Sequence, residues 1–172
     1  MPVYESKDYE KVIERIQRKM SELNIEMGEC LTEEEIGSFE CRHNTQLPQA
    51  YRMFLQRIGN GCKHMLDGCR LNDLESCSHQ ELSKPFLLEK FWVWEDDERD
   101  LDAIETDMQN KVYRGNIELI HLGCGISYNL IITGNHRGEV WNFTDVGVQP
   151  CCEPQDFLGW FVLLLDYQDE TD

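Results

Sequence analysis

Residues 47–61 read LPQAYRMFLQRIGNG and carry the clearest structural signal of this chain. Pro48 suits the first position of a helix, because proline lacks the backbone N–H that this position leaves unbonded. The apolar side chains that follow recur at helical spacing; they are Tyr51, Phe54, Leu55 and Ile58. Gly59-Asn60-Gly61 then ends the helix, since glycine and asparagine tolerate a left-handed backbone. The stretch predicts a short amphipathic helix with a defined start and stop.

Two more helices are predicted on the N-terminal side of this stretch. Apolar side chains recur at helical spacing in residues 9–23, with Ser6 as the predicted N-cap. Thr32 and Glu35 stand three residues apart, which is the pattern of a capping box and predicts a second helix. Residues 22–40 also hold seven glutamates and no Lys or Arg. We therefore expect this part of the chain to present an acidic surface.

The C-terminal side predicts β-structure followed by a closing helix. Residues 62–83 are rich in Cys, Asn, Asp and Ser and predict a loop with short structure. Residues 86–94 predict a strand or an ordered hairpin. Three strands with Gly and Asn turns between them predict an antiparallel meander; they are residues 117–122, 128–133 and 139–143. Residues 157–165 predict a well-buried helix, because their apolar side chains cover a broad face.

The composition indicates one folded and strongly acidic domain. The chain has 172 residues, of which 41% are hydrophobic, and this suffices for one domain with a full core. It has 33 Asp and Glu against 16 Lys and Arg, a formal net charge of −17. This charge disfavours binding to nucleic-acid phosphate or anionic lipid and favours a basic protein partner. Solubility alone is the other explanation of the acidity.

The cysteines and the N-terminal sequence indicate a cytoplasmic protein. The chain has eight cysteines, and its N-terminus is charged throughout and does not resemble a signal peptide. The longest apolar run, residues 161–165, is too short to span a membrane. We therefore expect a reducing compartment and mostly free thiols.

Several motifs of the chain resemble those of the SUKH superfamily. Residues 47–61 resemble its LPxxYxxFL…NG signature. Residues 85–94, PFLLEKFWVW, are similar to its PF…W segment. Residues 117–141 resemble its central hairpins, and Phe157 and Trp160 match its closing helix. The order and spacing of these motifs together carry the resemblance.

The resemblance implies an α+β fold for residues 1–172. This is a single domain in which a central, mostly antiparallel sheet of about six strands is flanked by N-terminal and C-terminal helices. The motifs support a core at residues 47–165, preceded by a helical part at residues 6–46. Bacterial members are immunity proteins that bind and neutralise toxins, often nucleases, delivered between neighbouring cells. Eukaryotic relatives are interaction proteins of cell-wall regulation, so a regulatory or scaffolding adaptor is the alternative function. The cysteines and residues 62–83 do not belong to the family pattern.

The strongest candidate for a site is the acidic run at residues 95–107, which holds eight acids and one Arg. It also predicts the start of a helix, whose inward-facing residues are expected to be Leu101, Ile104 and Met108. The run is predicted to dock on the basic active-site face of a toxin, with Trp92 or Trp94 as an apolar anchor. The candidate carboxylates are Glu95, Asp96, Asp97, Glu98, Asp100 and Asp102, and the second choice is Glu33, Glu34 and Glu35. A solvated face without a partner is the alternative.

Cysteine chemistry is the weaker hypothesis. Three Cys-x-His pairs, together with Cys69, offer ligands for zinc; they are Cys41 with His43, Cys62 with His64, and Cys77 with His79. This spacing is a poorer chelate than the usual separation of about two to four residues. Cys124 stands between two glycines near His121, which suggests a catalytic pair without establishing its geometry. Because the SUKH-like motif itself offers no nucleophile or base, we expect no catalysis. Because the Cys-x-His spacing is a poor chelate, we also expect no metal, and no cofactor is expected.

Overall fold

A computed structural model describes residues 3–76, 79–151 and 155–171. The α-helices of this part are α1 (Tyr9–Glu22), α2 (Glu33–His43), α3 (Gln49–Arg57), α4 (Leu101–Asp107) and α5 (Phe157–Thr171). Short 3₁₀ segments occur at Ser6–Asp8 and Trp94–Asp96, and a π-helical segment, Met108–Val112, continues α4. None of the described helices is long and apolar enough to cross a membrane.

The strands form one sheet in which each strand pair is antiparallel. They are β1 (Cys62–Leu66), β2 (Cys69–Leu71), β3 (His79–Gln80), β4 (Trp92–Val93), β5 (Asn116–Gly123), β6 (Ile126–Ile131), β7 (Val140–Phe143) and β8 (Gly147–Pro150). The order along the sheet is β1-β2-β5-β6-β7-β8-β4, and β3 pairs with β5 off this path. The predicted α+β fold is confirmed, with seven strands along the path where about six were expected.

The N-terminal helices follow local signals in the sequence. The predicted capping box is present: the Thr32 hydroxyl accepts a hydrogen bond from the Glu35 amide (3.2 Å), and the Glu35 carboxylate accepts one from the Thr32 amide (2.8 Å). Pro48 immediately precedes α3, one position earlier than predicted. Ser6 opens the 3₁₀ segment and does not cap α1, whose N-cap position is Asp8.

Residues 62–83 hold three strands, which is more regular structure than their composition predicted. β1 and β2 form a hairpin around Asp67 and Gly68, whose φ angles are 46° and 79°. Two positive φ angles suit a two-residue hairpin turn, and Asp-Gly is a preferred pair for it. The surrounding polar residues obscured this turn signal. Cys77, from one of the predicted Cys-x-His pairs, lies outside the described residues.

The segment that follows differs from prediction in two ways. The strand expected at residues 86–94 is limited to β4, and Phe86 instead packs in the interior. The helix begins at Leu101, but this side chain is 74% exposed, whereas Ile104 is buried and Met108 is half-buried. The prediction that Leu101 faces inward is therefore wrong. Leu101 is the first residue of this seven-residue helix, and its side chain lies outside the core in which Ile104 is buried.

The sheet separates two hydrophobic cores. Alternate residues of β7 point to opposite faces, so that Val140 belongs to the main core and Trp141 to the second core. The main core packs α1, α2, α3 and α5 against one face. The second core lies on the other face and consists of Phe86, Trp94, Ile104, Val112, Ile131, Trp141, Phe143 and Val148. Residues 85–112 thus cover the second face and bring the acidic run to the β4 end of the sheet.

Candidate protein-interaction surface

The acidic run lies beside the last strand of the sheet. β4 pairs with β8, with Trp92 opposite Val148 and Val93 opposite Gly147. Among the described residues β4 pairs with no other strand, so its second edge has no strand partner. The chain then passes through the Trp94–Asp96 turn towards α4. The candidate carboxylates therefore follow an open sheet edge, which is a surface that another protein can reach.

The two candidate tryptophans pack against each other, with ring centroids 5.6 Å apart in an edge-to-face arrangement. Trp94 is 9% exposed, and its Nε1 donates a hydrogen bond to the carbonyl oxygen of Asp145 (2.8 Å). Trp92 is half-buried, and its Nε1 donates to the Asp97 carboxylate (3.1 Å). Of the two, Trp92 therefore keeps more exposed surface, and Trp94 acts mainly as part of the second core.

Three acidic residues of the run are engaged within the chain. Asp97 accepts hydrogen bonds from Arg99, at 3.0 Å from Nε and 2.8 Å from Nη2, and these hold the pKa of its carboxyl well below the usual range. Asp107 accepts hydrogen bonds from Lys111 Nζ and from Arg99 Nη1, both at 2.8 Å, and these also lower its pKa. Asp100 caps α4 by accepting a hydrogen bond from the backbone amide three residues on (2.9 Å). These carboxylates have structural partners already.

The other acids of the run are available to a partner. Their side chains are exposed and make no hydrogen bond or ion pair with any residue in the described ranges. We call them the free carboxylates: Glu95, Asp96, Glu98, Asp102 and Glu105. The first four were candidates from the sequence. Glu105 was not, although it belongs to the same acidic run and lies on the exposed side of α4.

Exposed apolar side chains accompany the free carboxylates. Phe91 is 60% exposed and Leu101 is 74% exposed. Val93 of β4 and Val146, which immediately precedes β8, are also exposed. We call these four residues the apolar group. Phe91 was missed in the sequence, although strand alternation offered a signal, since Phe91 and Val93 flank the half-buried Trp92.

The second-choice acids are mostly engaged elsewhere. Glu33 forms an ion pair with Arg52 and accepts a hydrogen bond from Gln56 Nε2 (2.7 Å). Glu35 closes the capping box at the start of α2. Glu34 is exposed and has no side-chain partner among the described residues. This group thus leaves one carboxylate for a partner, fewer than the run at residues 95–107.

The described cysteines and histidines do not converge on one site. Within residues 3–76, 79–151 and 155–171, no group of three or more His, Cys, Asp or Glu is placed to hold a metal ion. Burial raises the pKa of the Cys62 thiol, against the opposing effect of its hydrogen bond to the His64 carbonyl oxygen. His121 Nδ1 lies 3.4 Å from a carboxylate oxygen of Glu118, and Cys124 is exposed in the turn between β5 and β6.

The surface has to be interpreted from its own residues, because no protein-family model and no curated protein matches the chain. The resemblance to the SUKH superfamily remains a prediction from the sequence motifs. The residues themselves combine an open sheet edge, five free carboxylates and four exposed apolar side chains. This combination is suited to binding a protein with a basic surface.

Proposed function

We propose that this chain is a cytoplasmic immunity protein without catalytic activity. Its partner is a cognate bacterial toxin with a basic active-site face, a nuclease domain, and the chain neutralises the toxin by covering that face. The observation that carries the proposal is the set of free carboxylates beside the apolar group at the β4 end of the sheet. In the complex these carboxylates take the positions that nucleic-acid phosphates occupy in the substrate.

Electrostatics supports a fast and specific association. Glu95, Asp96 and Glu98 form no ion pair within the described residues, so an approaching Lys or Arg does not have to displace an internal partner. The net charge of −17 adds attraction at longer range. Asp97 contributes less, because Arg99 already neutralises it. Complementary charge of this kind mainly raises the association rate and rejects unsuitable partners.

The apolar group supports a lasting complex. Charged contacts at the rim of an interface contribute little to affinity, whereas large apolar side chains at its centre contribute most of it. Phe91 and Leu101 are the large members of the group, and each has more than half of its surface exposed. Exposed apolar side chains next to free charges also fit the general arrangement of an interface, with an apolar centre and a polar rim.

Charge reversal tests the proposal. Glu95, Asp96 and Glu98 are replaced by Lys in one variant, which is produced together with the toxin domain encoded beside its gene. We expect the variant to lose both co-purification with the toxin and protection of the host cell from it. Growth of cells that carry the toxin measures protection, and circular dichroism of the purified variant verifies the fold.

A matched control separates this surface from total charge. Replacement of Glu14, Glu22 and Glu29 by Lys changes the net charge equally, at exposed positions in and after α1. α1 packs on the main core, against the opposite face of the sheet. The control should retain binding and protection. Equal loss in both variants means that overall charge, and not the β4 end, is responsible. A gene without a toxin neighbour would favour the regulatory adaptor instead.

A further inference from the structure

The N–H group of Val93 in β4 points away from the rest of the sheet. Opposite residues of an antiparallel pair alternate between hydrogen-bonded pairs and pairs whose N–H and C=O groups point away from each other. Val93 is opposite Gly147. Gly147 bonds instead to Thr144, which directly follows β7: its C=O accepts from the Thr144 amide (2.9 Å), and its N–H donates to Thr144 Oγ1 (3.0 Å). The N–H of Val93 is therefore directed to the second edge of β4.

One donor and one acceptor of the backbone belong to this second edge. The Val93 N–H makes no hydrogen bond to any residue of the described ranges, whereas the Val93 C=O takes part in the 3₁₀ turn for which Val93 is the N-cap. By the same alternation the C=O of Phe91 points to the second edge, and it has no partner among the described residues either. One donor and one acceptor that flank a residue, here Trp92, are the groups through which an antiparallel strand pairs.

The side chains around this edge are exposed and combine apolar surface with negative charge. Phe91 is 60% exposed and Val93 is 37% exposed, and neither packs against the main core or the second core. Because strand residues alternate between faces, these two side chains lie on the same face and Trp92 lies on the other. Glu95 and Asp96 are exposed beyond the C-terminal end of β4. The edge therefore suits an extended segment with apolar and basic side chains.

We infer that the toxin adds an antiparallel strand to β4, so that the sheet continues into the partner. The backbone of the added strand accepts a hydrogen bond from the Val93 N–H and donates one to the Phe91 C=O. Because the strands are antiparallel, the N-terminal side of the added strand lies beside Glu95 and Asp96, and we expect Lys or Arg there. The inference rests on the proposed function and specifies which kind of toxin element docks.

A second copy of this chain suits the edge less well than a basic partner. Symmetric pairing of two β4 strands about Trp92 would place Glu89 of each copy opposite Glu95 of the other. Both residues are exposed, and like charges directly opposite each other destabilise a strand pair. Each copy also carries a net charge of −17, so the two repel at longer range. Complementary charge therefore favours the toxin.

Hydrogen exchange of single amides, followed by NMR, tests the inference on the full chain. In the chain alone the Val93 amide should exchange at least about tenfold faster than the Trp92 amide, because Trp92 is in the hydrogen-bonded pair with Val148. In the complex with the toxin domain encoded beside its gene, exchange of the Val93 amide should slow by at least about a hundredfold.

A proline substitution tests the same N–H by its removal. Val93→Pro should raise the Kd for the toxin by at least about tenfold, because proline has no N–H to donate and its ring obstructs an added strand. Val93→Thr keeps the N–H and nearly the same shape, and it should raise the Kd much less. The Val93 backbone is extended, with φ −104° and ψ 100°, and its N–H has no partner in the described chain, so proline should be tolerated. Thermal unfolding verifies the fold.

The outcomes separate this inference from the proposed function. If charge reversal at Glu95, Asp96 and Glu98 abolishes the complex, but the Val93 amide of the unaltered complex stays unprotected, strand addition is overturned and the proposed function stands. If no complex forms with the toxin, both are overturned. Slow exchange of the Val93 amide in the chain alone would mean that this edge is already occupied. A dimer in sedimentation that Val93→Pro dissociates would assign the edge to a second copy instead.

Discussion

The guanidinium of Arg99 donates hydrogen bonds to both carboxylate oxygens of Asp97, with Nε 3.0 Å from Oδ1 and Nη2 2.8 Å from Oδ2. The same Arg99 reaches Asp107 through Nη1 (2.8 Å), and its Cζ lies 5.7 Å from the centroid of the Trp92 ring. The most acidic segment of the chain therefore has its own cation at its centre. This network determines which carboxylates remain for a partner and which maintain the local fold.

Replacing Asp97 by Asn should lower stability in a pH-dependent way. The hydrogen bonds from Arg99 lower the pKa of Asp97 in the folded protein. The ionised carboxylate therefore stabilises the fold above the unfolded pKa of about 3.9, and this contribution is lost as the pH falls through that value towards the folded pKa. The free energy of unfolding, measured by chemical denaturation, should be lower for Asp97→Asn than for the unaltered chain at about pH 7. This difference should shrink between about pH 5 and pH 3.

Asp102 is the control for this pH dependence. It lies in the same acidic run, is exposed and has no side-chain partner among the described residues. Asp102→Asn should therefore leave the unfolding free energy nearly unchanged at each pH. If Asp97→Asn lowers the unfolding free energy by the same amount at neutral and at acidic pH, the ion pair between Asp97 and Arg99 is not the cause.

Local signals explain how much of the fold could be predicted from the sequence. The capping box of Thr32 and Glu35 depends on residues three apart, and the helix at residues 47–61 has its own start and stop signals. The β1–β2 hairpin also depends on a local signal, its Asp67-Gly68 turn. That signal was not recognised, because the residues around it are polar and the whole segment was predicted as a loop. The place of β4 was not predictable, because it depends on pairing with β8, more than fifty residues away in the sequence.

The candidate surface was predictable as a segment and not residue by residue. Composition identifies the acidic run, but it does not show that Asp97 and Asp107 share Arg99. That arrangement depends on how the chain turns between β4 and α4. The exposure of Leu101 likewise depends on where α4 meets the second core. Sequence reasoning therefore included carboxylates that have partners within the chain, and it did not anticipate the exposure of Phe91 and Leu101.

Truncating the apolar group should weaken the proposed complex without weakening the fold. Phe91→Ala and Leu101→Ala remove exposed side chains, so each should change the unfolding free energy by no more than about 0.5 kcal/mol. Each should raise the dissociation rate from the toxin by about tenfold, because central apolar contacts act mainly on dissociation. Surface plasmon resonance measures these rates.

Ile104→Ala is the matched control for these truncations. Ile104 is buried in the second core, three residues after Leu101 on the same short helix. Its truncation should cost about 2–4 kcal/mol of stability. Dissociation rates that stay unchanged for both Phe91→Ala and Leu101→Ala would remove the apolar group from the interface, while leaving the free carboxylates to be tested separately.

Salt should slow the formation of the proposed complex more than it speeds its decay. Exposed charges such as Glu95 and Asp96 act over a Debye length, which falls from about 30 Å at 0.01 M salt to about 10 Å at 0.1 M. We expect the association rate to fall by at least about tenfold over this range, with a much smaller change in the dissociation rate. Stopped-flow fluorescence measures both rates. An association rate that is insensitive to salt would contradict electrostatic docking.

Two asparagines of the sheet, the buried Asn129 and the half-buried Asn142, should respond in opposite ways to the same substitution. Asn129 accepts a hydrogen bond from the Ser127 hydroxyl (2.7 Å), and its Nδ2 donates to Asn116 Oδ1 (2.9 Å). Asn129→Leu leaves both partners buried and unbonded, so it should cost about 2–4 kcal/mol of stability. Asn142 Oδ1 is buried without a partner, so Asn142→Leu should raise stability by about 1 kcal/mol. Urea unfolding measures both changes. Destabilisation by Asn142→Leu would mean that this oxygen has a hydrogen-bond partner in solution.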